Sequence, residues 1–256
     1  MDPALQSALL GASAFIAGAV NSIAGGGTLL TYPALLAAGV SPIHANATST
    51  VALLQGQLAA VWGFRRRLSG DRKLALLLAL PSLAGASVGA LLLVAISDHS
   101  FTLLVPWLIL GATLLFLLSD RLYRRFRDHP EVELTGRRLI ILLAVQLLVA
   151  VYGGFFGAAQ SILMLATLGL SGLRDIDRMN GLKNLAAAVI NGVAAALFIS
   201  GGLIEWRPAL VMSATAIFGG YTGAHFAQRI GKDRARAAVI VIGFFTAAAS
   251  FWKAFG

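Results

Sequence analysis

The feature that most constrains this chain is a repeated interruption. A glycine-rich break cuts an apolar run, and a polar patch opens the apolar run that follows. In the first half the break is Gly25-Gly26-Gly27-Thr28 and the patch Asn46-Ala47-Thr48-Ser49-Thr50. In the second half they are Gly153-Gly154-Phe155-Phe156-Gly157 and Asn180-Gly181-Leu182-Lys183-Asn184. Duplicated, interrupted membrane helices are the pattern of secondary transporters.

Composition excludes the soluble classes. The chain is 58% hydrophobic and 12% charged, with a mean hydropathy of +0.82, whereas a globular domain in water carries about 25% charged residues. Runs such as Leu74 to Ile96 and Phe101 to Leu118 hold no charge, and about 20 such residues cross a bilayer core. The expectation is an all-α polytopic membrane protein forming one integral membrane domain. The net charge of +9 does not point to nucleic acid, because the basic residues fall in short loops between apolar runs. With no cysteine in the chain, disulfides, thiolate metal sites and thiol catalysis are excluded. Met1 to Leu10 lacks the basic start and cleavage site of a secretory signal, so the first apolar run is expected to remain as a membrane helix.

Charge placement suggests the topology. The clusters are Arg65-Arg66-Arg67 with Arg72 and Lys73; Arg121, Arg124, Arg125, Arg127, Arg137 and Arg138; Arg174 and Arg178; and Arg229, Lys232, Arg234 and Arg236. With these cytoplasmic and Lys183 near that side, only Arg207 and Lys253 of the 20 basic residues lie outside. Between Arg138 and Arg174 the chain must cross an even number of times, yet one helix over about 139–156 leaves only 158–169 for the return. A helix of that length reaches about 18 Å, so the piece either crosses with extended chain or meets its counterpart, 28–38, near the midplane.

Each half then has five segments, and an odd number inverts the second half. The expected helices are about 4–23, 45–64, 74–96 and 100–118, then 139–156, 180–200, 208–228 and 235–255. That makes about eight full-length helices plus the two short or broken ones, in two inverted repeats. The organisation is 1–118 as the first repeat, 119–137 as a cytoplasmic basic loop and 138–256 as the second repeat, with both termini periplasmic. A constant offset of 134 pairs Asn46 with Asn180, Asp71 with Glu205, Gly85 with Gly219 and Gly89 with Gly223. Convergence on small-residue packing accounts for part of that match.

Ala24-Gly25-Gly26-Gly27-Thr28, Pro33-Ala34-Leu35, Gly39 and Ala45 to Ser49 resemble the first signature of the sulfite exporter family, TauE/SafE-like, also called the TSUP or 4-toluene sulfonate uptake permease family. Tyr152 to Ala158 and Asp175 to Asn184 resemble its second repeat, so the likeness spans nearly the whole chain. The resemblance implies a multi-pass secondary transporter of the bacterial inner membrane. Its cargo would be small sulfur-containing anions such as sulfite, sulfoacetate or related sulfonates, usually moved outward. Two departures bear on substrate more than on fold. Asn46-Ala47-Thr48-Ser49 stands where many members have a glycine before Thr-Ser, and Gln160 interrupts a glycine-rich stretch.

The residues themselves support an anion site. A helix starting inside a membrane presents unpaired backbone N–H groups and a partial positive charge, which suits an oxyanion. Gly25, Gly26, Gly27 and Gly157 allow close backbone approach, and Thr28, Gln160 and Ser161 add polar groups. The plainer reading of such glycines is close helix packing. Lys183, flanked by Asn180, Asn184 and, two turns on, Asn191, is the sharpest candidate, since a lysine in hydrocarbon usually marks function or a partner; its counterpart is Ser49. The alternative is that Lys183 snorkels to the interface or pairs with Asp175 or Asp177. Asn46, Thr48, Ser49 and Gln57 form the matching face, although Gln57, like Asn21, reads more simply as an interhelical hydrogen-bonding group.

His225 offers a proton carrier if transport is proton-coupled, although a lone histidine on a helix is more often packed. Asp71, Glu205 and Arg207 read as interfacial charges. Gly85-Ala86-Ser87-Val88-Gly89 matches a nucleophile elbow literally, but that motif needs a strand-turn-helix and a histidine–acid relay; inside an apolar helix it reads as packing. No metal, cofactor or enzyme motif occurs. The expected partners are a small anionic substrate and the lipid bilayer. A carrier working by alternating access is expected, with a passive anion channel, or carriage of a different small organic anion, as the alternative.

Overall fold

A computed structural model describes residues 2–23, 25–68, 71–127, 136–173, 175–226 and 232–255. Its helices are α1 (Pro3–Ile23), α2 (Thr28–Ala37), α3 (Pro42–Leu68), α4 (Arg72–Ala95), α5 (Asp98–Arg127), α6 (Gly136–Phe155), α7 (Gln160–Leu170), α8 (Ile176–Ser200), α9 (Trp206–Phe226) and α10 (Lys232–Phe255). There is no strand among the described residues. Eight helices run from 20 to 30 residues, while α2 and α7 have 10 and 11. Among the described residues, α1, α4, α5, α6 and α8 carry apolar stretches long enough to cross a membrane. The outer surface suits lipid rather than water: Leu80 is 71% exposed and Phe245 75%, and side chains of this kind cover the faces of the long helices.

Two boundaries differ from the sequence reading in a way that matters for the site. The polar patches at 46–50 and 180–184 do not open their helices; each begins about one turn inside. Pro42 is the first residue of α3, where a proline costs no hydrogen bond. Asp175 caps α8, its Oδ1 accepting from the backbone N–H of Asp177 at 2.9 Å and of Arg178 at 3.2 Å, which satisfies two donors that the helix leaves free. In addition, α5 continues to Arg127, so the first part of the expected 119–137 loop is helical; 128–135 lie outside the described residues.

The ten helices pair in a pattern that survives exchange of the two sets of five. α1 packs on α9 as α6 packs on α4, and α3 packs on α9 as α8 packs on α4. α2 touches α10 as α7 touches α5, and the exchange maps the α3–α8 and α5–α10 pairs onto themselves. Small residues set the crossings. A side chain at Gly85 would meet Leu147 and Ala150, and one at Gly89 would meet Val151. At the equivalent positions Gly219 lies against Phe15, and Gly223 against Ala19 and Ser22. The Gly85–Gly89 motif is therefore a packing surface between α4 and α6. Ser87 between them is half-buried and donates to the carbonyl of Leu83 in its own helix at 2.9 Å.

Candidate functional site

Both breaks arrive at one place. The turn from α1 into α2 passes Gly25 at φ +86°, and a side chain there would collide with Ser161 at the start of α7. Only glycine occupies that conformation and that space without strain. The turn from α6 into α7 passes Gly157 at φ +72° and then Ala159 at φ 61°, a left-handed position unusual for a residue with a Cβ. Tyr152 steadies this turn by donating its hydroxyl to the carbonyl of Ala158 at 2.7 Å.

Between the breaks lies a polar cavity lined by Asn21 of α1, Thr28 of α2, Thr50, Leu53 and Gln57 of α3, Gly157, Gln160 and Ser161 at the start of α7, and Asn191 of α8. The first residues of both short helices, Thr28 and Gln160, thus face the same space. About 10 Å³ is open to the centre of a water-sized sphere, room for about one water molecule. Across this space Gln160 donates its Nε2 to Oδ1 of Asn191 at 3.0 Å, and Asn191 donates its Nδ2 to Oε1 of Gln57 at 2.9 Å.

Of the residues singled out from sequence, Thr28, Gly157, Gln160 and Ser161 line the cavity. Gly25, Gly26 and Gly27 form its neighbouring link; Gly26, at φ +90°, lies against the ring of Phe116. Gly27 donates its N–H to Oδ1 of Asn21 at 2.7 Å, which ties the end of α1 to the start of α2. The others bond helix to helix. Asn46 donates its Nδ2 to the carbonyl of Phe155 at 2.9 Å, Ser49 and Thr31 share a hydroxyl hydrogen bond at 2.6 Å, and the backbone N–H of Glu205 donates to Oγ1 of Thr48 at 3.0 Å.

Lys183 is fully buried, so it neither snorkels nor reaches Asp175 or Asp177. Its Nζ donates to the backbone carbonyls of Asn21 at 2.8 Å and Ser22 at 3.3 Å, and Asn184 donates its Nδ2 to the Ser22 carbonyl at 3.0 Å. These are among the last carbonyls of α1, which have no partner within their helix. The two halves therefore perform the same exchange: α8 caps the end of α1, and α3, through Asn46, caps the end of α6. Asn180 is buried on the same face of α8, and among the described residues the side-chain oxygens of Asn46, Asn180, Asn184 and Gln160 accept no hydrogen bond.

Asn21, Thr50, Gln57 and Asn191 were not selected as site residues from sequence, yet they line the cavity. The signal that finds two of them is the repeat offset, since 57 and 191 are separated by the same 134 residues that separate Asn46 from Asn180. The side chain of His225 lies outside the described residues. Asp71 does more than sit at an interface: Arg178 donates to both of its carboxylate oxygens, at 2.6 and 2.7 Å, joining the start of α8 to the start of α4. Among the described residues no cluster of metal-ligating side chains occurs.

Comparison with known proteins agrees with this architecture. The chain is 31% identical over 242 residues to a "Probable membrane transporter protein" of Haemophilus influenzae, covering 94% of this chain and 92% of the relative. It is 32% identical over 238 residues to the "Probable membrane transporter protein YfcA" of Escherichia coli K12, covering 90% and 83%. It is 29% identical over 236 residues to the "Probable membrane transporter protein ORF9" of a Sinorhizobium species, covering 92% and 88%. No solved structure matches the chain. Residues 10–250 match the family described as Sulfite exporter TauE/SafE. With its two glycine breaks, its polar patches and its apolar outer surface all inside that span, this multi-pass membrane protein belongs to the sulfite exporter TauE/SafE family.

Proposed function

We propose that the protein is a secondary transporter, rather than an enzyme, that carries small sulfur-containing oxyanions such as sulfite or organosulfonates across the bacterial inner membrane. The observation that carries this reading is the convergence of two helix N-termini, at Thr28 and Gln160, on one polar cavity. Backbone dipoles aimed at the cavity from both helix starts, with the hydroxyls of Thr28 and Ser161, suit an oxyanion. Family membership supports the substrate class.

Room for about one water is too little for a sulfur oxyanion, so transport requires the cavity to open. One wall belongs to α1, α3 and α8 and the other to α2 and α7, and the latter are backed by α10 and α5. Alternating access then consists of the α2–α7 wall rocking against the six-helix body of α1, α3, α4, α6, α8 and α9. The Arg178–Asp71 pair lies at the cytoplasmic end, both termini in the periplasm.

Uptake of labelled sulfite and a panel of small sulfonates into proteoliposomes of the purified protein tests the proposal. Saturable flux with counterflow is the expected result. Flux that rises in proportion to the gradient, without saturation or counterflow, would instead identify a passive channel, and none above empty liposomes would remove these anions as substrates.

A further inference from the structure

Lys183 is the only charged side chain that is buried among the described residues. Its partners are the backbone carbonyls of Asn21 and Ser22, neutral groups that stabilise an ammonium without cancelling its charge. Asn21 is also a wall of the cavity, so the charge stands one residue behind the space a substrate would enter. Asp71 and Arg178 neutralise each other at the start of α8. At each break a helix C-terminus is set beside a helix N-terminus, α1 ending at Ile23 before α2 starts at Thr28, and α6 ending at Phe155 before α7 starts at Gln160. Their partial charges are of opposite sign and similar size, so to first order each break contributes donors without net charge.

We infer that Lys183 sets the charge of the substrate, and that the site selects a monovalent oxyanion over both a divalent and a neutral molecule of the same shape. One negative charge neutralises the lysine. A second would be buried without a counter-charge, and an uncharged ligand would leave the lysine uncompensated; burial of an unpaired charge is costly in either case. Lys183 acts here through its field and through Asn21, not by touching the substrate, which makes it a specificity-determining residue. The inference rests on the anion-transport reading above and narrows it.

A series of tetrahedral sulfur compounds isolates charge from shape: sulfate (divalent), methanesulfonate (monovalent) and dimethyl sulfone (neutral). The first two keep their charges across the neutral pH range. Binding to the full chain in detergent is read from the ligand-dependent rise in unfolding temperature. The expected order is methanesulfonate at least tenfold tighter than either of the others. Lys183→Gln should abolish that advantage and move preference toward dimethyl sulfone, while Lys183→Arg should keep it.

Sulfate binding the unsubstituted protein as tightly as methanesulfonate would overturn the inference while leaving anion transport intact. An unchanged order in folded Lys183→Gln would also overturn it. Absence of binding by both anions would overturn the anion reading as well. Should Lys183→Gln not fold, the order measured on the unsubstituted protein and on Lys183→Arg still decides.

Discussion

Asn191 donates its side-chain amide to the side-chain oxygen of Gln57 at 2.9 Å, across a chain separation of 134 residues. The same separation relates Asn46 to Asn180 and Gly85 to Gly219, so equivalent positions of the two halves meet at the cavity. Equivalent residues come together in this way where they lie beside a pseudo-twofold axis.

The amide chain from Gln57 through Asn191 to Gln160 is expected to act as a unit. Asn191→Leu should lower stability by about 1 kcal/mol, because it leaves two buried amides without their partner. The double variant Gln57→Leu/Asn191→Leu should cost less than the sum of the two single changes. Thermal unfolding in detergent measures both.

Arg178 and Asp71 join the two halves by a bidentate ion pair that is partly exposed, at 34% and 11%. Screening limits its contribution to about 1 kcal/mol or less. The expected phenotype therefore lies in transport rate more than in stability. Arg178→Ala should change flux, and the exchanged pair Asp71→Arg/Arg178→Asp should restore it at least in part. Initial-rate uptake in proteoliposomes gives the comparison.

The break between α1 and α2 should not tolerate a Cβ. Gly25→Ala combines a left-handed backbone, costing about 1–2 kcal/mol, with a collision against Ser161, and should reduce both the unfolding temperature and flux. Gly192→Ala is the control, because a Cβ there meets nothing within 4 Å. It should leave stability unchanged or raise it by up to about 1 kcal/mol.

The proposed orientation can be read with cysteines, since the chain has none of its own. Lys73 and Ser200 are both exposed at helix ends. Ser200→Cys should react with an impermeant maleimide added to intact cells, and Lys73→Cys only after permeabilisation. The opposite pattern would invert the assigned topology.

Most of the fold was legible in the sequence because a membrane helix advertises itself by composition. The boundaries of α1, α2 and α7 fall within about two residues of the expected ones. Asn46 and Asn180 were placed at helix starts because Pro42 precedes the one and the charged Asp177-Arg178 the other, and hydropathy cannot distinguish such a first turn from a loop. The cap at Asp175 was the available signal for α8.

The site was less legible, because sequence places Lys183 in the membrane but does not say what its ammonium meets. Backbone carbonyls at the end of α1 belong to no motif. Asn21 and Gln57 looked like ordinary interhelical glue, and only the convergence of both breaks makes them walls of a cavity. Nothing in the residue types marks Ala159 as left-handed; the packed turn around it imposes that conformation.

The central claim is that an oxyanion binds where α2 and α7 begin. Its most direct test is counterflow kinetics of the transported anion for Thr28→Val and Ser161→Ala, with Ser87→Ala, outside the cavity lining, as control. The account predicts a KM raised about tenfold, the equivalent of about 1.4 kcal/mol, in each cavity variant and none in the control. An unchanged KM in both cavity variants, with folded protein, would contradict it and place the anion elsewhere.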